Sequence, residues 1–438
     1  MSWVEALAAG VSLLLVLLVI GVPIFVAFLI LNVSGVLYLM GPPGFGMLAN
    51  SIFSTATISA LTAVPLFIVM GELLFRSGAM EVLLDSLDRL IGRIRGRQYV
   101  LCILLSAIVG ALSGAAMAVA GLLGRSLFPT MVQRGYDRKL SAGTILAGAS
   151  LDPIIPPSVL AILIATIAQI STGKLLIAGL VPGLILTVMF LGYVWVRLLL
   201  NPALAPDLSN EGTDGKPRGS ALMAFIRMLP STFIFFLVMG LVMLGVATPT
   251  EAAATGVFGA LVLAAFYGRL SWPMVHASLI SGVTVSSLLL VVMCCAVMFS
   301  QLLTFTGAPQ ALGELVTSLS LPGWLMLTIM LTLPFFLFMF LDQIAIMLVL
   351  VPIYKPLLVI YSFDEIWFFT LFLIVATVGG ISPPFGYTLF AFKSAAPDVP
   401  MTEVFSASWP FVWLIMAGLV LMALFPPLIT WLPSLAGP

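Results

Sequence analysis

The sequence predicts an all-α polytopic membrane protein, an inverted-topology repeat with two re-entrant helical hairpins and two broken transmembrane helices. Three observations carry this reading. Of 438 residues, 62% are apolar and 8% charged, against about 25% charged in soluble domains, and mean hydropathy is +1.24. Apolar runs of membrane-crossing length recur along the whole chain. Punctuating prolines and acids of the first half return in the second.

A span needs about 20 mostly apolar residues to cross about 30 Å of hydrocarbon. That ruler places spans near 5–21, 23–41, 57–76, 141–169, 175–199, 229–248, 250–268, 277–303, 366–392 and 405–425. Glu5 stands where a signal peptide carries positive charge, so the first run is expected to be a retained span. The stretches 98–131 and 323–358 are too long for one span and break near their middles, at Ser113-Gly114-Ala115-Ala116 and Phe340-Leu341-Asp342-Gln343. Each half, about 15 residues, makes roughly 22 Å of helix, short of a crossing, and is expected to turn back as a hairpin.

Lysine and arginine collect on the cytoplasmic side. Arg89, Arg93, Arg95 and Arg97 precede the first hairpin, and Arg134, Arg138 and Lys139 follow it, so both its ends face one side. Threading onward puts Arg76, Arg197, Lys216, Arg218, Arg227, Arg269 and Lys393 there too, leaves Lys174 and Lys355 outside, and strands Arg125 within the membrane. Both termini are expected to face out, with the second hairpin entering from the outside. The polar stretch 201–228 is expected to join a first repeat, 1–200, to a second, 229–438.

The halves align directly. Gly71-Glu72-Leu73-Leu74-Phe75-Arg76-Ser77-Gly78-Ala79 matches Ser300-Gln301-Leu302-Leu303-Thr304-Phe305-Thr306-Gly307-Ala308 at an offset of 229. Pro129, Asp137, Pro156 and Pro157 match Pro356, Asp364, Pro383 and Pro384 at 227. In the threading, corresponding spans run in opposite directions, the architecture of secondary transporters. Leu83, Leu84, Leu87, Leu90, Ile91 and Ile94 also form an apolar stripe opposite Asp85, Asp88, Arg89 and Arg93, an interfacial helix, echoed by Leu312, Val316 and Leu319.

Asp152-Pro153-Ile154-Ile155-Pro156-Pro157-Ser158 interrupts one span, and Gly379-Gly380-Ile381-Ser382-Pro383-Pro384-Phe385-Gly386 interrupts its counterpart. Proline removes a donor and clashes with the preceding turn, so each span must unwind, which is tolerated at membrane depth only where backbone lines a cavity or is buried in protein. Freed carbonyls suit a cation, and the helix N-terminus after each break suits a carboxylate. Four broken elements are therefore expected to converge on one place. Asp152 and Asp342 are the deepest acids, each either a cation or proton site or a capping group. Ser113, Ser150, Thr377 and Ser382 place hydroxyls in the same breaks, where single hydroxyls commonly bond their own helix. Arg125 is expected to snorkel or to pair with an acid, and Glu72 to form an interface ion pair with Arg76. Thr248-Pro249-Thr250-Glu251 reads as a capping box with proline at the first helical position.

Other functions find no support. Seventeen Lys+Arg balance seventeen Asp+Glu, leaving no basic face for nucleic acid. Cys102, Cys294 and Cys295 lie in apolar runs without CxxC or zinc spacing. A membrane-embedded enzyme needs a nucleophile with a base or a metal cluster, and the chain has one interfacial His276 and no HExxH. We expect neither an enzyme nor a cofactor.

Thr248-Pro249-Thr250-Glu251-Ala252-Ala253-Ala254, Arg134-Gly135-Tyr136-Asp137, Ile155-Pro156-Pro157-Ser158 and Ser382-Pro383-Pro384-Phe385-Gly386 together resemble the large membrane subunit of tripartite ATP-independent periplasmic (TRAP) transporters. The resemblance covers essentially the whole chain. It implies an elevator-type, ion-transporter-superfamily-like fold in the bacterial inner membrane. It further implies Na+-driven uptake of an organic acid, a periplasmic substrate-binding protein and a small four-helix membrane partner. It implies a first Na+ site at Ser113, Gly114 and Ser150, to which we add Asp152, although the family usually has glycine there. The second site falls at Asp342, Gln343, Thr377, Gly379, Gly380 and Ser382. Substrate is assigned to Ser113, Pro157, Ser158, Pro384 and Thr388. A self-sufficient Na+/carboxylate symporter or ion antiporter of similar architecture is the alternative.

Overall fold

The computed structural model describes residues 3–92, 94–113, 116–206 and 221–436, and among these it is helical with no strand. Helices α1 (Trp3–Val19) and α2 (Ile24–Leu39) pack together, followed by α3 (Phe45–Ala56), α4 (Ala63–Arg76) and the short amphipathic α5 (Ala79–Ile91). The first hairpin is α6 (Arg97–Ser113) and α7 (Ala116–Gln133). The first broken span is α8 (Arg138–Ser150) and α9 (Val159–Ala168), and α10 (Thr172–Ala178) leads into α11 (Leu180–Leu200). The second half runs α12 (Ala221–Met243), α13 (Pro249–Phe266), α14 (Trp272–Phe305) and α15 (Ala308–Leu319). Then come the second hairpin, α16 (Gly323–Phe340) and α17 (Gln343–Ile360), and the second broken span, α18 (Glu365–Ile381) and α19 (Tyr387–Ala395). Helices α20 (Met401–Leu424) and α21 (Pro427–Leu435) close the described chain.

The duplication is visible in backbone detail. Gly78 before α5 and Gly307 before α15 both take the left-handed conformation, φ 84° and 71°, where a side chain is strained. Asp137 and Asp364 both cap the helices that lead into the breaks, each accepting a backbone N–H at 2.7 Å, from Leu140 and Trp367. Pro129 and Pro356 lie inside the second arm of each hairpin.

Three sequence expectations need correction. The hairpin arms have 17 or 18 residues, about 27 Å at full length, so arm length does not make them re-entrant; helix simply continues into the residues flanking each tip. What distinguishes them is that their second arms start against the broken spans, Ala116 of α7 on Asp152 and Gln343 of α17 on Ala376. The segment 45–56, which none of the expected spans covers, is the helix α3, whose Asn50, Ser51, Ser54 and Thr55 hid its apolar face. The expected span 277–303 belongs to the 34-residue α14, roughly 51 Å long and longer than the hydrocarbon is thick. The joining stretch from Asp207 to Ser220, with Lys216 and Arg218, and Arg93 lie outside the described residues.

Helices α8 and α18 form the centre, buried along nearly their whole length, as the apolar α18 must be. Small residues let neighbours close in. A Cβ at Gly143 would meet the Ala407 carbonyl of α20 at 2.7 Å, and one at Gly148 would meet Ser106 Oγ of α6 at 2.7 Å. Helix α4 is gripped elsewhere, by α13 through Gly256 against Met70 and by α14 through Gly282 against Val69. Arg125 is exposed on α7, consistent with snorkelling. Lys139 and Arg269 are exposed at helix ends. Cysteines placed at these two positions, with the three native cysteines replaced, should be shielded from an impermeant thiol reagent in intact cells. Labelling of both from outside reverses the orientation.

Candidate functional site

Where α8 unwinds, Asp152 turns its carboxylate toward the first hairpin. Its Oδ2 accepts the Ala116 N–H, the first of α7, at 3.2 Å, and Gly110 of α6 approaches so closely that a Cβ there would touch Asp152. Oδ1 is buried and, among the described residues, has no hydrogen-bond partner. Ser158 closes the break: its hydroxyl donates to the Pro153 carbonyl at 2.7 Å and accepts the Ala161 N–H at 3.3 Å, capping α9.

The second tip repeats this with different groups. Asp342 caps α17, its Oδ1 accepting from Ile344 N at 2.8 Å and Ala345 N at 3.2 Å. The Gln343 amide donates to the Ala376 carbonyl of α18, fastening the tip to the broken span. Gly379 has no room for a side chain beside Phe338 of the hairpin, and Phe340 and Phe385 bring tip and break together with ring centroids 6.0 Å apart. Gly386 is enclosed by the Gly380 carbonyl and the Ser382 backbone.

The starts of α7, α9, α17 and α19, with Asp152 of the first break and Asp342 of the second tip, line one cavity of about 620 Å³. Four helices begin at its wall: α7 at Ala116, α9 after Ser158, α17 at Gln343 and α19 at Tyr387. Each helix dipole puts partial positive charge there; Asp152, Ser158 and Asp342 already accept one or two N–H groups at three of these starts, and Asp152 and Asp342 add carboxylates to the same wall. The opposite wall is α4 and α14, which contribute Glu72, Arg76 and Ser281.

A cavity built from helix ends and unwound backbone at membrane depth is the construction of a transport site, and comparison with known proteins names the family. The family model described as "Tripartite ATP-independent periplasmic transporter, DctM component" matches residues 11–428. The chain belongs to this family. It resembles the C4-dicarboxylate TRAP transporter large permease protein DctM of Pseudomonas aeruginosa at 29% identity, covering 93% of this chain and 94% of that one. It resembles the ectoine TRAP transporter large permease protein TeaC of Halomonas elongata at 27%, covering 97% and 98%. Among solved structures, the YdaH transporter of Alcanivorax borkumensis shares the fold, with a TM-score of 0.62 at 17% identity over 91% of each chain. The protein is thus an integral membrane subunit of a transporter and not an enzyme.

In this TRAP permease, Asp152, Ser158, Asp342 and Gln343 face the common cavity. Ser150, Thr377 and Ser382 stand behind it, and their hydroxyls donate to carbonyls of their own helices, Ala147, Leu373 and Val378; only their lone pairs remain for a cation. The Thr388 hydroxyl donates to the Gly380 carbonyl and braces the break from within. Pro157 is buried and Pro384 half-buried beside their breaks, and Gly380 packs on the Tyr387 ring. Gly114 and the Ser113 side chain lie outside the described residues. Thr248 and Glu251 form the expected capping box, Oε2 accepting Thr248 N–H at 2.8 Å while Thr248 Oγ1 accepts Glu251 N–H at 3.3 Å.

Sequence reasoning missed Tyr387 and the far wall. Glu72 and Arg76 do pair as expected, at 2.9 Å, and both line the cavity. The available signal was an i, i+4 pair of opposite charges inside an apolar helix and within the repeated block. It did not reveal which neighbour the pair faces.

Proposed function

We propose that this TRAP large permease imports an organic acid, coupled to Na+, in the bacterial inner membrane. A periplasmic binding protein delivers the acid, and a small four-helix membrane subunit completes the complex. The observation that carries the reading is the meeting of four helix N-termini and two carboxylates on one cavity. Helix N-termini favour a carboxylate. Asp152, with a buried oxygen that has no partner among the described residues, and Asp342 favour a cation, because a buried polar atom is costly until it is paired. Neither charge is easily held alone in a low-dielectric site, so filling it with both stabilises each. That mutual requirement is the physical basis of coupling.

The proposed first Na+ site is Asp152 with Ser113, Gly114 and Ser150. The second is Asp342 and Gln343 with Thr377, Gly379, Gly380 and Ser382. Substrate is proposed at Ser113, Pro157, Ser158, Pro384 and Thr388, with Ser158 on the cavity wall. The name of the Pseudomonas relative supports a carboxylate. We further propose that the hairpins and broken spans move as one body past α4, α13 and α14, exposing the cavity to alternate sides.

Proteoliposomes containing both membrane subunits and supplied with binding protein should accumulate labelled succinate, a C4-dicarboxylate, under a Na+ gradient without ATP. Uptake unchanged when choline replaces Na+ overturns the sodium assignment, and full uptake without binding protein favours a self-sufficient symporter.

A further inference from the structure

The wall facing the tips carries a built polar group that the proposed mechanism leaves unused. Arg76 lies in the last turn of α4, where a cation suits the helix dipole. Among the described residues lining the cavity it is the single cation. Glu72 Oε2 holds its Nε at 2.9 Å, and Glu72 Oε1 in turn accepts the Ser281 hydroxyl of α14 at 2.9 Å. Both carboxylate oxygens are therefore engaged, one orienting the guanidinium and the other anchoring Glu72 to a neighbouring helix. Among the described residues, the terminal Nη1 and Nη2 of Arg76 have no partner, and its side chain is 41% exposed.

We propose that Arg76 is the anion-recognition group of the α4 wall, donating through Nη1 and Nη2 to a substrate carboxylate, with Glu72 and Ser281 as positioning residues. This rests on the carboxylate reading above and adds a specificity contact from the wall across the cavity from both tips. The chemistry favours arginine: with Nε engaged, its planar fork still presents paired donors matched to a carboxylate. The Glu72–Arg76 pair is neutral overall, so an empty cavity holds no bare cation, yet it retains N–H donors for an arriving anion. Packing of α4 against α13 and α14 keeps the donors on a fixed surface.

The test reads cavity charge without requiring the natural substrate. Met117, exposed on α7 and lining the same cavity, is replaced by cysteine in the purified complex with Cys102, Cys294 and Cys295 removed. Its modification rates by anionic sulfonatoethyl and cationic trimethylammonioethyl methanethiosulfonate are then compared. Arg76→Gln should lower the anion-to-cation rate ratio several-fold, because removing one positive charge from the cavity wall acts in opposite directions on the two reagents. Arg89→Gln, outside the cavity, should leave it unchanged. Arg76→Lys should preserve the ratio but raise KM for succinate about tenfold, because one ammonium cannot reproduce the paired donors. An unchanged ratio in Arg76→Gln, or equal loss in Arg76→Lys, overturns the proposal. If wild type does not transport succinate, the C4-dicarboxylate substrate falls while the reagent ratio still judges Arg76.

Discussion

Asp342→Asn should raise the Na+ concentration for half-maximal uptake by about tenfold or more, equivalent to about 1.4 kcal/mol of lost cation binding, whereas Glu251→Gln should transport nearly as wild type. The two acids make a controlled pair, since each caps a helix in otherwise apolar sequence. Asparagine caps about as well as aspartate, so the bonds to Ile344 and Ala345 can be kept while the charge on the cavity wall is lost. Glutamine serves equally in a capping box, and Glu251 is exposed at the start of α13, away from the residues lining the cavity. Uptake is measured across a Na+ titration at equal amounts of folded protein, checked by gel filtration in detergent. A wild-type titration for Asp342→Asn reduces that side chain to a helix cap and leaves the second tip with backbone ligands alone.

Gly386→Ala should destabilise the folded protein by roughly 1–3 kcal/mol, the range for forcing a group into a packed site, and abolish most transport. Its Cβ would meet the Gly380 carbonyl at 2.7 Å and the Ser382 nitrogen and oxygen at 3.0 Å. All three are backbone atoms, which cannot swing aside as a long side chain can. The Gly386 N–H also donates to the Ser382 carbonyl at 3.0 Å, so relieving the clash opens the break itself. Gly46→Ala on α3, where no atom lies within 4 Å of the added carbon, is the control; it should melt at or above wild type, since alanine is favoured over glycine in a helix by about 1 kcal/mol. Thermal unfolding in detergent decides the matter, and a wild-type melting temperature for Gly386→Ala means that the break is loose.

What could be read from residues alone was whatever depends on near neighbours in the chain. Apolar run length located the hairpins at 98–131 and 323–358, close to the observed 97–133 and 323–360. Prolines located the breaks, because a missing donor and a ring clash act within one turn. Thr248 and Glu251 announced a helix start because a capping box spans four residues. The membrane sharpened these signals, since lipid forces backbone polar groups to be satisfied within the protein. Helix α3 escaped the same reasoning: twelve residues with interspersed hydroxyls are too short to register as a span.

Tertiary packing decided which groups share the cavity. Nothing near Asp152 in the chain says that it reaches the first N–H of α7, 36 residues away. Nor does the sequence around Glu72 say that Ser281 anchors it across 209 residues. Tyr387 and Arg76 reach opposite walls of one cavity through elements whose close contacts glycines permit at distant positions, Gly379 beside Phe338 and Gly282 beside Val69. By itself the sequence determined a duplicated, helical membrane protein with four interruptions, because length, proline and capping act locally. Only the folded chain decided that those interruptions face Arg76, because helix approach is set by side-chain volume at contacts that lie far apart along the chain.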